Sequence, residues 1–486
     1  MSTEMFSRVA AASSLAVSLC LAACGAPDLG PRPRMTAPAT LQSAQSLAAG
    51  ETARDWPRQR WWTAYGDPQL DALVEEALAG SPSVATAAAR IRQARGGAEM
   101  AGADTLPALG GQASGGAVKQ SYNNGVPAAF VPRGWKSTGT LALSGDFDLD
   151  LWGRNRKALA AATSEAQAAE ADARQAELML SSNVVSSYFD LARLIARGEA
   201  LAEASRARAA MMDLTGQRAR QGLDSDAPLR RAEAAAAAAR AALSANAEQI
   251  LLRRHAIAAL LGAGPDRGLA ITPPTLASLP QTQVPADAGI ALAGRRPDIV
   301  AARLRAEAAA SRIDAAKAAF MPDISLRGLI GLTSLGLSNL IDTGSTDGNA
   351  GAALSLPIFQ GGRLTGQFTQ ARGGYDAAVA DYNATVVDAL REVADALASR
   401  DAAVSQQRDS AEAGTTSQAA YDLSMKRYRA GLTGYLDALT AQTAALDARQ
   451  AAIDAHFRTL ALEVALQRAL GGGFADASSE KAPDHE

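Results

Sequence analysis

Two hydrophobic periodicities alternate along this chain. Over long stretches apolar residues recur every three to four positions, as in Val184, Tyr188, Leu191 and Ile195, and again in Leu436, Leu439, Thr443 and Leu446. That spacing lays one narrow apolar stripe on a helix, with alanine-rich faces between the stripes. It suits coiled-coil seams rather than a thick globular core. Proline measures these helices, since none occurs between Pro132 and Pro228 or between Pro357 and Pro483. The pattern predicts a helix from Arg154 to Gln221, about 100 Å long at the helical rise, and a match from Arg363 to Ala430. Each ends at glycine, a usual C-terminal cap, and a returning helix follows, Asp226 to Leu261 and Gly434 to Leu470.

Four short segments have a period of two instead. From Thr138 to Trp152, Leu141, Leu143, Phe147, Leu149 and Leu151 point one way, and Ala142, Ser144, Asp146, Asp148 and Asp150 point the other. Ile324, Leu326, Ile330 and Leu332 alternate with Ser325 and Arg327, and Ala352, Leu354, Leu356 and Ile358 with small residues. Leu109 to Gln120 is a weaker, glycine-rich partner. Gly- and Asn-rich loops join these strands into two hairpins. One apolar and one polar face per strand is the pattern of a membrane barrel, with the three aspartates hydrating its lumen.

The hairpins and helices are written twice. Ser81-Pro82 opens a helix that stops near Leu106-Pro107, and Arg296-Pro297 opens another that stops at Met321-Pro322, so both prolines recur at an offset of 215. Leu151-Trp152-Gly153-Arg154 is followed by Gly361-Gly362-Arg363, and Arg218-Ala219-Arg220-Gln221-Gly222-Leu223 by Arg427-Tyr428-Arg429-Ala430-Gly431-Leu432, both at 209. Low complexity would align alanines, but not Pro, Gly and Arg in one order.

Composition sharpens this picture. Of 486 residues, 115 are alanine, the strongest helix former, and the net charge of −3 lacks the basic excess of a nucleic-acid binder. His255, His456 and His485 lie far apart, and no cysteine pair has metal-ligand spacing. No metal site, no catalytic residue and no cofactor are expected. His255 and His456 read as ordinary helix residues. Residues 1–23 read as an export signal, with an apolar run from Val9 to Leu21 too short for a confident membrane span. Leu21-Ala22-Ala23-Cys24 resembles a bacterial lipobox. The resemblance implies cleavage before Cys24, a covalent lipid on that residue and, with Gly25 rather than aspartate next, sorting to the outer membrane. Residues 24–60 read as a lipidated flexible tether.

A bilayer tolerates no open sheet edge, and single-chain bacterial barrels have at least eight strands. Four strands must therefore be pooled among copies: two copies give a filled barrel, three give twelve strands and room for a pore.

The chain resembles the TolC-like outer-membrane factor family in its lipoprotein branch. The marks are Trp61-Trp62 with Asp67, Leu70 and Ala77-Leu78; Asp148 to Arg154; Arg295-Arg296-Pro297-Asp298-Ile299; Phe320-Met321-Pro322; Pro357-Ile358-Phe359 with Gly361-Gly362-Arg363; Arg427 to Gly431; and Leu470-Gly471-Gly472-Gly473. The resemblance implies a mainly α, internally duplicated chain. It further implies a homotrimer whose twelve-stranded outer-membrane β-barrel continues into a long periplasmic α-helical coiled-coil tunnel with an equatorial belt. The organisation is a first repeat at 61–285 (hairpin about 109–151, helices 153–221 and 226–261), a second at 286–473 (hairpin about 323–359, helices 363–430 and 434–470) and a flexible tail at 474–486.

Function follows from the resemblance: an outer-membrane channel of a tripartite efflux system, receiving drugs or other small molecules from an inner-membrane efflux transporter and a periplasmic adaptor. The helical turns at Gly222, Leu223, Gly431 and Leu432 would meet the adaptor. Leu436 and Asp437, with Thr440 where the family often has aspartate, would narrow the periplasmic end, Asp437 as an acidic ring. Arg427 and Tyr428 face a turn containing Asp224 and Asp226, and Arg–Asp or Tyr–Asp contacts between neighbouring hairpins would latch it. Trp61 and Trp62 read as packing at the belt, Trp135 and Trp152 as interfacial anchors. The alternatives are a duct for a heavy-metal pump or type I protein secretion system, and a non-pore periplasmic coiled-coil lipoprotein, which the apolar-faced hairpins oppose.

Overall fold

The computed structural model describes residues 26–47, 56–275, 282–285 and 287–476. The export signal, the lipid expected on Cys24 and residues 477–486 of the expected tail lie outside the described residues. A 3-10 turn at Trp61–Tyr65 leads into α1 (Pro68–Gly80), α2 (Pro82–Ala103), β1 (Ala108–Val118), β2 (Lys136–Asp148), α3 (Arg154–Arg220) and α4 (Asp226–Leu260). Then come α5 (Pro265–Leu269), α6 (Ala288–Arg295), α7 (Pro297–Ala318), β3 (Asp323–Leu335), β4 (Thr346–Ser355), α8 (Arg363–Arg429) and α9 (Tyr435–Ala469). The chain is mainly helical and internally duplicated. Helices α2 and α7 each have 22 residues, α3 and α8 each 67, α4 and α9 each 35. Proline is the first residue of α1, α2, α5 and α7, where its missing N–H is not needed.

The long helices α3 and α8 stop the same way. Gly222 and Gly431 have φ of 71° and 73°. Leu223 N–H reaches back to the Arg218 carbonyl and Leu432 N–H to the Arg427 carbonyl, both at 2.9 Å. Only glycine enters that left-handed turn without strain, and the backward bonds satisfy carbonyls that the helix leaves open.

The four strands form one antiparallel sheet in the order β1-β2-β3-β4. The two hairpins are joined through β2 and β3, with Asp146 opposite Arg327 and Leu143 opposite Ile330. Register therefore sorts most side chains by polarity, with Leu329 an exception on the polar side. One face carries Leu109, Leu141, Leu143, Phe147, Ile324, Leu326, Ile330, Leu332, Ala352 and Leu354 among glycines and alanines. The other carries Gln112, Ser114, Thr140, Asp146, Arg327, Asp347 and Asn349. The apolar face is uncovered in the single chain: Leu109, Ile330 and Leu354 are each more than 60% exposed.

One detail departs from the alternation. Strand β2 ends at Asp148, so Leu149 and Leu151 lie beyond it and Asp150 is not a lumen-facing strand residue. Asp150 turns the chain at φ 43° and accepts hydrogen bonds from the Asn155 and Arg156 N–H groups at 3.0 and 2.9 Å. It caps α3, whose first N–H groups have no helical partner. Burial works against its charge, but those N–H bonds and the Arg156 guanidinium outweigh it and hold the carboxyl below the ordinary range.

By contact the chain forms two compact units. One comprises residues 26–35, 91–169 and 302–382 as described. It contains the sheet and a core of Ile313, Phe320 and Phe368, the two rings edge to face at 6.3 Å. The start of the stretch expected as a flexible tether is fastened here. The buried Arg372 guanidinium holds the Gly30 and Pro31 carbonyls, and Tyr375 Oη donates to the Pro33 carbonyl at 3.2 Å.

The second unit comprises the described residues of 36–90, 170–301 and 383–476. Its core gathers Trp61, Trp62, Tyr65, Leu70, Leu73, Val184, Tyr188, Phe189 and Ile257. Trp61 and Trp62 are packing residues, 4% and 5% exposed. Asp67 caps α1 and also accepts from Tyr188 Oη at 2.7 Å and Thr275 N–H at 3.0 Å. The Arg-Pro-Asp motif is a staple: buried Arg296 donates to Asp298, to Glu392 on α8 at 2.8 Å and to the Ala469 carbonyl at 3.2 Å.

Candidate functional site

The polar face of the sheet is knit by charge. Arg327 Nε meets Asp146 Oδ2 at 3.0 Å across β2 and β3. At the base of the sheet Arg154 lies 3.0 Å from Asp148 and 3.6 Å from Asp323, while the Asn155 amide donates to Asp148 at 3.1 Å. These aspartates thus fasten the strands to the start of α3, a structural task that alternation alone did not reveal. Trp152 Nε1 donates to the Pro322 carbonyl at 2.7 Å, and Trp135 is 71% exposed in the β1–β2 loop.

The helical turns form the second feature. Buried Met211, Ala232, Tyr428, Tyr435 and Ala438 pack together, with Met212, Leu214, Met425 and Leu439 against them. Tyr428 and Tyr435 meet edge to face at 6.3 Å. Tyr428 Oη shares a hydrogen bond with Thr215 Oγ1 at 3.2 Å and lies 3.4 Å from Asp224 Oδ2. The partner of Asp224 is Arg218, whose Nε donates to Oδ2 at 2.7 Å while its guanidinium sits 5.2 Å from the Tyr428 ring centre. The structure thus brings Tyr428 and Asp224 together within one chain. It does not bring Arg427 there; that side chain is exposed and has no carboxylate partner among the described residues.

The duplication explains the exchange. Arg218 is the counterpart of Arg427 at the 209 offset, and the counterpart of Asp224 is Thr433. The second turn has no carboxylate for its arginine, and the first does. The repeat itself was the signal for Arg218. Asp226 is exposed in the first turn of α4. Leu436, Asp437 and Thr440 share the exposed side of α9, opposite buried Tyr435 and Ala438. Asp437 lies in the first turn of its helix, where the helix dipole favours an anion. Leu223 and Leu432, next to Gly222 and Gly431, are 61% and 71% exposed. Among the described residues no cluster of three or more His, Cys, Asp or Glu has metal-binding geometry, and no helix is long and apolar enough to cross a membrane.

The family model for outer membrane efflux protein matches residues 73–263 and 291–472, one stretch per repeat. The chain belongs to the outer membrane efflux protein family. The crystal structure of the outer membrane protein VceC from Vibrio cholerae superposes with a TM-score of 0.82 at 41% identity, covering 86% of this chain and all of that one. The fusaric acid resistance protein FusA of Burkholderia cepacia is 36% identical over 373 residues, 74% of this chain and 68% of the relative. The multidrug resistance outer membrane protein MdtP of Escherichia coli K12 is 31% identical over 324 residues, 65% of this chain and 66% of the relative. The family member described here is an outer-membrane protein that serves as the exit duct of an efflux system.

Proposed function

We propose that three copies of this chain close a twelve-stranded barrel and pass drugs or other small molecules out of the cell. In this reading the protein catalyses nothing and carries no cofactor beyond a lipid on Cys24. An inner-membrane transporter supplies the cargo and a periplasmic adaptor docks at the helical turns. The observation that carries the reading is the open sheet. Its two edges, β1 and β4, have no neighbour among the described residues, and one whole face is apolar and exposed. Neither water nor lipid tolerates that surface as it stands, whereas a closed ring of identical sheets satisfies both edges and turns the apolar face to lipid. The polar face then lines the duct. Three copies, rather than two, leave a lumen wider than its own side chains.

Small-molecule cargo is supported by relatives named for fusaric acid and multidrug resistance. Exposed Leu223 and Leu432 at the two turns offer the adaptor apolar contacts. Leu436, Asp437 and Thr440 line the narrowing, with three Asp437 carboxylates as a cation-favouring ring. The Arg218–Asp224–Tyr428 cluster latches the α3–α4 turn of each copy to α8 of the same chain.

The test is a strain lacking the gene, scored for sensitivity to dyes, detergents, antibiotics and metals, with amine-reactive crosslinking of native envelopes in parallel. A broad gain in drug sensitivity and a three-rung ladder are expected. Unaltered drug panels with a retained secreted protein favour the secretion duct, and crosslinking that captures only single chains removes the barrel. For the ring, Asp437→Ala is expected to lower cation preference in planar bilayers.

A further inference from the structure

We propose that the seam between neighbouring copies has a fixed register, with Ser355 of β4 opposite Gln112 of the next copy's β1, and that it lacks the ion pairs that tie the internal junction at the matching positions. The inference rests on the shared-barrel reading and specifies its joint.

The duplication supplies the register. A shift of 215 carries β1 onto β3, as the starts of α2 and α7 and of the two strands themselves show. A shift of 209 carries β2 towards β4, as the starts of α3 and α8 show. Applied to the pair Ala108 and Asp146 of the first hairpin, the two shifts give Asp323 and Ser355, which are paired in the second hairpin. The rule therefore reproduces a register it was not built from.

Applied to the internal β2–β3 junction, it predicts the β4–β1 seam between copies. Asp146 opposite Arg327 becomes Ser355 opposite Gln112. Ser144 opposite Leu329 becomes Ala353 opposite Ser114, and Gly145 opposite Gly328 becomes Leu354 opposite Ala113.

Two independent features agree with it. The first is the face. Leu354 and Ala113 both belong to the apolar side of their own sheets and Ser355 and Gln112 to the polar side, so neither face inverts across the seam. A slip of one residue would turn apolar side chains into the lumen. The second is proline. At the internal junction the Leu149 N–H donates to the Ile324 carbonyl at 3.0 Å. Its seam counterpart is Ile358 N–H donating to Leu109. Donors alternate along an antiparallel strand, so Pro357, which has none, faces away from the seam and removes no bond from it. The same step places Ile358, 65% exposed, against Leu109, 76% exposed.

The chemistry of the two joints differs. The internal junction holds Arg327 to Asp146, and Arg154 to Asp148 and Asp323. Their seam counterparts are Gln112 and Ser355, then Arg363 beside Pro357 and Ala108. No carboxylate faces Arg363 from those positions, and its Nε bonds the Gln360 side-chain oxygen at 2.9 Å. At these positions the joint between copies relies on backbone pairing and apolar contact.

Cysteine pairs read the register directly. Ser355 and Gln112, and Ala353 and Ser114, fall at non-hydrogen-bonded positions of the seam, where Cα atoms approach to about 4.5 Å. That is inside disulfide range, whereas a diagonal neighbour at about 7–8 Å is outside it. In native envelopes under mild oxidant, Q112C/S355C and S114C/A353C are expected to give disulfide-linked dimers and trimers. The shifted pair S114C/S355C and the parent chain are expected to give none. A ladder from the shifted pair instead overturns the register while leaving the shared barrel intact. Failure of all pairs, with amine-reactive reagents still joining three copies, overturns the β4–β1 seam. Single chains with both chemistries remove the shared-barrel reading as well.

Discussion

Replacing Asp224 by alanine probes the turn where α3 hands over to α4. The carboxylate accepts one short bond from Arg218 Nε at 2.7 Å and lies 3.4 Å from the buried Tyr428 hydroxyl. Both ion-pair partners are about one-fifth exposed, 19% for the Arg218 side chain and 21% for Asp224. A hydrogen bond to a charged group contributes about 1.5–3 kcal/mol. The partial exposure places this one near the lower bound, and the 3.4 Å contact adds little. With the bond made in the closed state and broken in the open one, a loss of about 1.5 kcal/mol per chain moves the closed-to-open equilibrium about tenfold. If three turns open in concert the factor is about a thousandfold.

Single-channel recording in planar bilayers reads this as open fraction, and cells carrying the variant are expected to admit large antibiotics that the wild type excludes. Asp224→Asn is expected to behave nearly like Asp224→Ala, because the amide lacks the charge. Arg427→Ser is expected to do far less, since Arg427 has no carboxylate partner among the described residues. Equal open fractions for Asp224→Ala and wild type, or a larger effect from Arg427→Ser, would refute the assignment of the latch to Arg218 and Asp224.

Asp67→Ala removes a helix cap worth about 1 kcal/mol and the carboxylate that holds Tyr188 and Thr275. A total loss of about 3 kcal/mol is expected in thermal unfolding of detergent-extracted protein, with Asp67→Ser recovering the cap alone. Gly471→Ala sets a Cβ against the Arg295 carbonyl at a φ of 86° and is expected to abolish stable trimer, whereas Gly434→Ala, in open space at φ −77°, leaves trimer yield unchanged. Burial lowers the pKa of His456, whose Nδ1 lies 3.0 Å from the Gln407 amide. The unfolded chain therefore takes up a proton first as pH falls below about 6.5, and stability declines from there toward the depressed folded value. His456→Gln is expected to flatten that decline in a series of melting curves, and an unchanged slope would contradict it.

The elements bounded by proline and glycine were legible because those residues act locally. Pro82, Pro297, Gly222 and Gly431 set helix ends with no help from distant parts of the chain. The pairing of β2 with β3 was not legible, since a register between strands nearly 200 residues apart leaves no local trace. Asp150 misled because its spacing from Asp146 and Asp148 continues the strand alternation, although its carboxylate caps a helix. At the candidate site, the turn sequences name Tyr428 and Asp224 together, and their side chains lie 3.4 Å apart. Arg218 and Arg427 both sit one turn before a glycine, so the sequence does not separate them, and only packing shows which has a carboxylate within reach. The hold of Arg372 on Gly30 and Pro31 was equally invisible, since backbone carbonyls carry no sequence signature.

The uncovered apolar side of the sheet dictates an order of manufacture. While a newly exported chain crosses the aqueous space beneath its target membrane, Leu109, Leu141, Leu143, Ile330 and Leu354 have no cover among the described residues of their own chain. A finished sheet at that stage would stick to any other. Its strands must therefore be delivered unzipped or shielded by an escort, and set hard only where acyl chains and sister strands arrive together. The alanine-rich rods are under no such restraint and are free to form first. In the shared-barrel reading, the pore is complete only when the last strand of one copy meets the first strand of the next.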